Sequence, residues 1–278
     1  MRKIKIVADS SCDLFTLERA DFVGAPMKII TDEREFIDTA SLNVDEMVEY
    51  LYQYKGKSKS SCPNTGDWLD AFGDAEEVFC VTITSGLSGS YNSASAAKQI
   101  YESENPGRRV HVFDTLSAGP EVTMTVKRIE ECVAEDMSFE DICSTVQTYM
   151  DKAGLIFMLK SLKNFANNGR VSPVVAKLVG IMGICIVGKA SKEGTLEPMH
   201  KCRGEARSLE TLVEELKNEG FMGGRISIGH CQNEEAAMRL KSMIEEKLEG
   251  AEIEVHRLQG LCSFYAERGG LLVGFERA

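Results

Sequence analysis

Short apolar runs alternate with segments of helical periodicity along the first half of the chain. Lys3–Ala8 alternates in the manner of a strand, and Val78–Ile83 is almost continuously apolar, as expected of a central strand. The predicted strands are Lys3–Ala8, Pro26–Ile30, Glu77–Thr84 and Arg109–Asp114, and the predicted helices are Val44–Tyr54, Asn64–Ala75, Tyr91–Glu104, Glu121–Glu135 and a helix from Ser138 to about Ala153. This alternation predicts βαβ units and a largely parallel sheet.

The second half mixes helices with strands and contains a hairpin. Its predicted helices are Leu155–Ala166, Val174–Met182, Arg207–Asn218 and Glu234–Leu248, and its predicted strands are Ile184–Lys189, Thr195–Cys202, Arg225–His230 and Glu252–Leu258, followed by a Gly-rich tail at Gly269–Phe275. We therefore expect two α/β domains, residues 1–154 and 155–278, which pack tightly with a crevice between them. The C-terminal tail can pack back on the first domain.

Composition narrows the classes of function. The net charge of −11 disfavours nucleic acid as a main partner, because such binding relies on Lys and Arg that neutralise phosphates. No apolar run approaches the roughly 18–20 residues that span a bilayer, so we expect no integral membrane segment. The nine cysteines are scattered and include no C-x-x-C pair, which favours reduced thiols and no metal site. These features predict a soluble, cytoplasmic α/β protein.

The segment Thr84–Ser93 (TSGLSGSYNS) carries the strongest candidate chemistry. It follows a buried predicted strand and opens a predicted helix. Free backbone N–H groups and the helix dipole make such a terminus a site for an anion, and glycines let the backbone approach a ligand closely. A carboxylate or a phosphate is the natural ligand. The alternative is that the serines and glycines only cap the helix and shape the turn.

Two further polar segments can reach the same edge of the sheet. Ser58–Asn64 precedes a predicted helix, and Asp9–Asp13 follows the first predicted strand. Ligands of open α/β sheets bind in the crevice at the carboxyl ends of the strands, where these hydroxyls could converge with Ser88 on one anion. The alternative, which stays open, is that both segments are capped turns.

An esterase or thioesterase that acts through Ser88 is the enzymatic alternative. A nucleophile elbow of the form G-x-S-x-G would need glycine where Ser90 stands. None of the four histidines can be assigned as the base that such a serine requires. Neither a Walker sequence nor G-x-G-x-x-G is present, so nucleotide binding has little support.

Six segments resemble, in order, motifs of the DegV family: Ile6–Leu14, Ser60–Pro63, Thr84–Asn92, Phe113–Thr115, Asn168–Ser172 and Met199–Arg203. Thr84–Asn92 (TSGLSGSYN) is very close to the family sequence SSGLSGTYN, and Ser60–Pro63 (SSCP) is similar to T-S-Q-P. The resemblance extends over essentially the whole chain.

This resemblance implies two α/β domains, the first with three layers around a parallel sheet and the second with two layers and a mixed sheet. It implies that a long-chain fatty acid lies in a buried tunnel, with its carboxylate at the crevice between the domains. In bacteria, a separate ATP-dependent kinase subunit then phosphorylates the carboxylate for phospholipid synthesis. The chain would be the carrier subunit of that fatty acid kinase, without catalytic activity, cofactor or metal of its own.

The family's binding residues can be carried over to positions of this sequence. The carboxylate-binding threonine falls on Ser60, with Ser61 beside it. The second carboxylate-binding serine falls on Ser88, with Gly89 beside it, and the head-group arginine falls on Arg203. The residues expected to shape the site around them are Asp9, Ser10, Gly86, Ser90 and Asn92.

The C-terminal segment departs from the family pattern. Ser263–Gly269 (SFYAERG) aligns with G-T-H-T-G-P-G, so Tyr265 stands where the family has a histidine at the head group. Tyrosine can donate a hydrogen bond to a carboxylate but does not become a cation near neutral pH. We favour a fatty-acid carrier over the two alternatives, a serine esterase or thioesterase and a carrier of another small lipid or anion.

Overall fold

The computed structural model describes residues 2–172, 175 and 183–277. Its strands are β1 (Ile4–Asp9), β2 (Phe22–Ala25), β3 (Lys28–Ile30), β4 (Glu35–Ile37), β5 (Lys59–Ser61), β6 (Glu77–Thr82), β7 (Arg109–Asp114), β8 (Ala153–Leu159), β9 (Ile184–Ala190), β10 (Leu196–Arg203), β11 (Gly224–His230), β12 (Ala251–Arg257) and β13 (Leu271–Glu276). Its helices are α1 (Val44–Gln53), α2 (Thr65–Phe72), α3 (Ser90–Glu104), α4 (Pro120–Ala134), α5 (Phe139–Lys152), α6 (Lys163–Asn167), α7 (Glu205–Asn218), α8 (Glu234–Lys247) and α9 (Gly260–Ala266). Within these described residues, no helix has the length and apolar character needed to cross a membrane.

A parallel sheet of four strands, in the order β2-β1-β6-β7, forms the centre of the first half. Ile6 and Phe79 pack with α4 and α5 on one face, whereas Val7 and Val78 pack with α2 and α3 on the other. This arrangement has three layers, and it confirms the predicted parallel sheet. The loops that follow β1, β6 and β7 all leave at its carboxyl edge.

A mixed sheet of six strands, in the order β10-β9-β8-β13-β11-β12, forms the second half. Only β11 and β12 pair in parallel, and β9 with β10 form the predicted hairpin. Ile156 and Met158 pack with α7 and α8 on one face. Leu155, Phe157 and Leu159 point to the opposite face, towards α9. The predicted mixed sheet is confirmed, and the division of the chain at residue 154 stays a prediction.

The prediction of a helix over Leu155–Ala166 was wrong. Residues Ala153–Leu159 form β8, and only Lys163–Asn167 is helical. Every residue of β8 is buried, because both faces of this central strand are covered. Its apolar run therefore lacks the alternation that marks a half-exposed strand. The predicted helix Val174–Met182 lies, except for Val175, outside the described residues.

A third sheet, which the sequence did not predict, places part of the candidate site. The strand predicted at Pro26–Ile30 belongs not to the parallel sheet but to an antiparallel sheet of order β4-β3-β5. Its strands have three residues each, too few to show a periodic pattern. Ser60 lies in β5 and pairs with Ile29.

Candidate functional site

An apolar cavity of about 300 Å³ lies between the carboxyl edge of the parallel sheet and one face of the mixed sheet. This volume is at the lower end of the range of ligand sites, about 300–1,000 Å³. The larger apolar side chains among the described residues that line it are Met27, Ile83, Leu87, Leu116, Leu155, Phe157, Leu159, Phe165, Leu196, Leu261 and Leu272. The cavity can therefore bury a ligand that is mostly hydrocarbon.

One end of this cavity lies between β5 and the loop before α3, which are in contact, since a Cβ on Gly89 would lie 3.4 Å from Cys62 Sγ. Ser60, Ser61, Ser88, Gly89 and Tyr265, all predicted from the sequence, line it together. The Tyr265 hydroxyl lies 2.7 Å from Ser60 Oγ in a hydrogen bond. Ser61 and Gly89 are exposed, so this end of the cavity reaches the surface. We call it the hydroxyl end.

Ser60 is held in place by a side chain to which the sequence analysis gave no role. Asn168 Oδ1 accepts the Ser60 backbone N–H at 3.1 Å, and Asn168 Nδ2 donates to the Ser58 carbonyl at 3.2 Å. Asn168 thus satisfies one edge of the short strand β5. The sequence did single out this segment, because Asn168–Ser172 resembles a family motif. The motif did not indicate what Asn168 contacts.

Tyr265 is fixed by aromatic neighbours and by α9. Its ring centroid lies 4.7 Å from that of Phe165 and 4.8 Å from that of Phe264. Burial raises the pKa of the Tyr265 hydroxyl above its usual value, although the hydrogen bond from Ser60 and the charge of Arg170 oppose this shift. Tyr265 is therefore neutral at physiological pH, and its hydroxyl can donate a hydrogen bond to an anion.

Asp9 joins the loops that form the hydroxyl end. This fully buried carboxylate accepts the Ser11 backbone N–H at 3.2 Å, the Ile83 N–H at 2.9 Å and the Ser90 hydroxyl at 2.5 Å. Burial raises the pKa of Asp9, and these hydrogen bonds counteract the rise. Asp9 therefore ties β1 and the residue that follows β6 to Ser90, the first residue of α3, and the role of Asp9 and Ser90 in shaping the site stays a prediction.

Gly86 makes a close backbone contact with the tip of the β9–β10 hairpin. A Cβ at this position would lie 2.5 Å from the Glu193 carbonyl oxygen, so no other residue fits without movement. The Thr84 hydroxyl donates to the Gly194 carbonyl at 2.8 Å. These contacts attach the tip of the β9–β10 hairpin to the loop after β6, over the cavity.

Arg170 is the cation of the described cavity wall. It donates to the Asn168 carbonyl at 2.7 Å, while its buried Nε meets no hydrogen-bond partner among the described residues. The sequence analysis assigned the head-group arginine to Arg203 instead. Arg203 is exposed at the end of β10 and is not among the described residues that line the cavity.

None of the five expected shaping residues, Asp9, Ser10, Gly86, Ser90 and Asn92, is among the described residues that line the cavity, so any role they have in shaping it is indirect. Ser10 is buried, and its hydroxyl accepts the Met27 backbone N–H at 3.1 Å, so it positions β3 from behind. Asn92 is exposed on α3, and the described residues that line the cavity do not include it.

The surroundings of Ser88 do not resemble those of a catalytic serine. Its Oγ accepts the Ser90 backbone N–H at 3.2 Å, as in a helix cap. None of the four histidines is among the described residues that line the cavity. In the described part of the chain, no group of three or more His, Cys, Asp or Glu side chains is placed to hold a metal ion.

Comparisons with known proteins agree with the overall fold. A DegV domain-containing protein of Streptococcus pneumoniae strain R6 is 42% identical over 276 residues, 98% of each chain. The structure of a DegV family protein from Eubacterium eligens, loaded with heptadecanoic acid, matches with a TM-score of 0.96 and 41% identity, over 99% of this chain and 100% of that one. The Streptococcus pneumoniae fatty acid kinase (Fak) B3 protein, loaded with linoleic acid, matches with a TM-score of 0.97 and 41% identity over the whole of both chains.

The family assignment rests on the full length of the sequence. The model of the DegV family, described as a family of uncharacterised proteins, matches residues 3–277. The resemblance inferred from six short motifs is therefore confirmed, and the chain belongs to the DegV family.

Proposed function

We propose that this protein binds a long-chain fatty acid, with the acyl chain in the apolar cavity and the carboxylate at the hydroxyl end. The observation that carries the proposal is the distribution of polarity within one cavity. Ser60 and Tyr265 share a hydrogen bond, and the loop that carries Ser88 lies against β5 beside them. Apart from Arg170, the larger side chains of the described wall are apolar, and its other hydroxyls belong to Thr84, Ser117 and Thr195. An amphiphile with a single anionic head and a long hydrocarbon tail matches this distribution.

The groups at the hydroxyl end suit a carboxylate. Hydroxyl donors and the N-terminus of α3 can stabilise the anion without the large desolvation cost of a fully buried ion pair. The Nε of Arg170, for which the described part of the chain offers no partner, supplies a further donor. Burial of about sixteen carbons at ~0.8 kcal/mol per methylene provides on the order of 12 kcal/mol gross, from which the cost of ordering the ligand is subtracted.

The relatives support this class of ligand. Two structures that share 41% identity with the chain hold heptadecanoic acid and linoleic acid, respectively. One of these acids is saturated and the other is doubly unsaturated. Both combine a carboxylate with a long hydrocarbon chain, which are the two properties that the cavity selects.

We further propose that the protein is the carrier subunit of a fatty acid kinase and has no catalytic activity of its own. A separate ATP-dependent kinase subunit would phosphorylate the carboxylate that the hydroxyl end presents at the surface. The name of the Streptococcus pneumoniae relative, a fatty acid kinase B3 protein, supports this role. All nine cysteines are free thiols, as is usual for proteins of the reducing cytoplasm. An ATP-dependent kinase would act in the same compartment.

Trapping of the acyl phosphate tests the carrier role. The protein, loaded with palmitate or linoleate, is incubated with ATP, the kinase subunit of its own organism and hydroxylamine. We expect a fatty acyl hydroxamate that forms only when both proteins and ATP are present. A protein that retains fatty acid but yields no hydroxamate with the kinase would contradict the carrier role and leave binding intact.

A further inference from the structure

The positions of lining residues along β8 distinguish the two ends of the cavity. Leu155, Phe157 and Leu159 line it from one face of this strand. Leu159 is at the end of β8 that leads into α6, and α6 carries Phe165, which packs against Tyr265. Leu159 therefore lies towards the hydroxyl end. Leu155 lies four residues away, about 13 Å at the usual strand rise, and marks the opposite end.

A second cavity adjoins this opposite end. It is an outer groove of about 730 Å³, and its wall shares Leu116, Leu155 and Ala190 with the first cavity. The register of β8 against β9 places Leu155 next to Ala190, at the same end of the sheet. These three side chains, here called the partition, separate the apolar cavity from the groove.

The groove differs from the inner cavity in character. Charged side chains of both signs line it: Asp114, Glu121, Asp151, Lys189, Lys192, Glu193, Glu197, Glu219 and Arg277. A charged, open groove holds water, so it gives no apolar surface on which a hydrocarbon chain could continue. The partition is therefore where the apolar environment ends.

Leu116 is the member of the partition that belongs to neither sheet. It lies in the loop between β7 and α4, with a positive φ of 51°, and it is 39% exposed. Leucine rarely adopts this conformation, because its Cβ then crowds the backbone. A Cβ on Gly194 would lie 3.0 Å from Leu116 Cα, so the hairpin tip packs directly against this backbone.

We propose that Leu116 is the stop that sets the length of the acyl chain, and that the space its side chain fills can receive the end of a longer chain when the side chain is shortened. This inference rests on the proposed fatty-acid function and names a specificity determinant for it. A chain that exceeds the cavity must displace the Leu116 side chain towards the groove. A chain of fitting length ends against it.

The test compares dissociation constants for saturated fatty acids of 14 to 22 carbons in the wild type and in Leu116→Ala. The substitution removes three side-chain carbons, so we expect the length of tightest binding to rise by about two carbons. We compare the affinity for an acid two carbons longer than the wild-type optimum with the affinity for the optimal acid itself. This ratio should be about tenfold higher in Leu116→Ala than in the wild type. Leu116→Gly, which also tolerates the positive φ, should show the same shift.

Two matched variants control for a general change in the cavity. Leu87→Ala removes the same three carbons from a wall residue outside the partition, and Leu116→Met keeps the side-chain volume. Neither should move the optimum. An unchanged optimum in both Leu116→Ala and Leu116→Gly would overturn the role of Leu116. Absence of fatty-acid binding in the wild type would instead overturn the proposed function.

Discussion

At the scale of single residues, the proposed carboxylate site offers neutral donors more than charge. Ser60 and Tyr265 are joined by a hydrogen bond, and Ser88 stands at the start of α3. Each hydrogen bond to a charged acceptor contributes about 1.5–3 kcal/mol, so the loss of one donor should weaken binding without abolishing it.

Ser88→Ala tests this view of the site. We expect fatty-acid affinity to fall by about 1–2 kcal/mol, roughly 5- to 30-fold, because one donor to the carboxylate is lost. Ser85→Ala is the matched control, since Ser85 is exposed in the same loop and is not among the described residues that line the cavity. Its affinity should equal that of the wild type. Equal affinities of all three proteins, measured by calorimetry, would refute the assignment of Ser88.

Because residue 265 is a tyrosine, we expect the fatty-acid affinity to vary little with pH. Because burial raises the pKa of Tyr265, its hydroxyl stays protonated between pH 6.5 and 8.5. In Tyr265→His, a bound carboxylate would favour the imidazolium, so affinity should increase as the pH falls through the imidazole pKa. Ionisation of the fatty acid itself affects both proteins equally. Parallel pH profiles for the two proteins would count against contact between residue 265 and the carboxylate.

At the scale of elements, α9 is the helix that presents Tyr265. Its first N–H groups, those of Gly260 and Leu261, both donate at 2.8 Å to the buried carboxylate of Asp38. Burial raises the pKa of Asp38, and these two hydrogen bonds counteract the rise. Asp38 thus connects the small antiparallel sheet to the N-terminus of α9.

Asp38→Ala should therefore affect both stability and binding. The two N–H groups would lose their buried partner, which we expect to lower the free energy of unfolding by about 2–3 kcal/mol. Fatty-acid affinity should fall as well, since α9 carries Tyr265. As a control, Asn43→Ala removes the exposed side chain that caps α1. It should lower the free energy of unfolding by about 1 kcal/mol and leave the fatty-acid affinity unchanged. Urea unfolding and binding titrations measure both effects; a loss of stability in Asp38→Ala without any loss of affinity would contradict this link.

The elements that the sequence predicted well are those with a clear period or cap. The helix opened by Ser138 was predicted because its hydroxyl accepts the Asp141 N–H, a local contact. By contrast, β8 was misread because tertiary packing buries both its faces, and α9 was missed because its cap comes from distant Asp38. Interactions between residues far apart in sequence leave no local pattern to read.

The residues of the candidate site divide in the same way. Some are positioned by neighbouring sequence and others by contacts with residues distant in sequence. The loop around Ser88 was recognisable because one strand and one helix position it. The contribution of Arg170 depends on how the segment after α6 meets β5 and α9, which only the assembled fold shows. The parallel and mixed sheets were predicted correctly, whereas the three short strands of the third sheet were not assembled from the sequence.

At the scale of the whole molecule, the two large sheets are joined through α4. Glu121, in the first turn of this helix, is buried where α4 meets β13; a Cβ on Gly274 would lie 2.8 Å from the Glu121 nitrogen. Burial raises the pKa of Glu121 to about 7, and the charge of Arg277 only partly opposes this shift. A buried carboxyl group with a pKa near 7 should make the packing of α4 against β13 depend on pH.

Stability should therefore fall as the pH rises through this range. The carboxyl has its usual pKa of 4.5 in the unfolded chain, so between that value and about 7 the folded protein retains a proton that the unfolded chain releases. The stabilisation lost above pH 7 is about 3 kcal/mol. Glu121→Gln cannot ionise and should be the more stable protein at pH 8, with little difference at pH 4.5.

Urea unfolding at pH 4.5 and pH 8 measures this difference. Glu135→Gln, an exposed position after the same helix, makes the same change of charge and should show no such dependence. A difference between wild type and Glu121→Gln that is the same at both pH values would contradict the role of Glu121.

The most direct test of the central claim is mass spectrometry of the purified protein, first under native conditions and then after solvent extraction. The account predicts one fatty acid of about 14–18 carbons per chain, retained in the native spectrum and released on denaturation, because the apolar cavity buries the tail and the hydroxyl end holds the carboxylate. An empty protein that also fails to take up added palmitate or oleate would contradict the account.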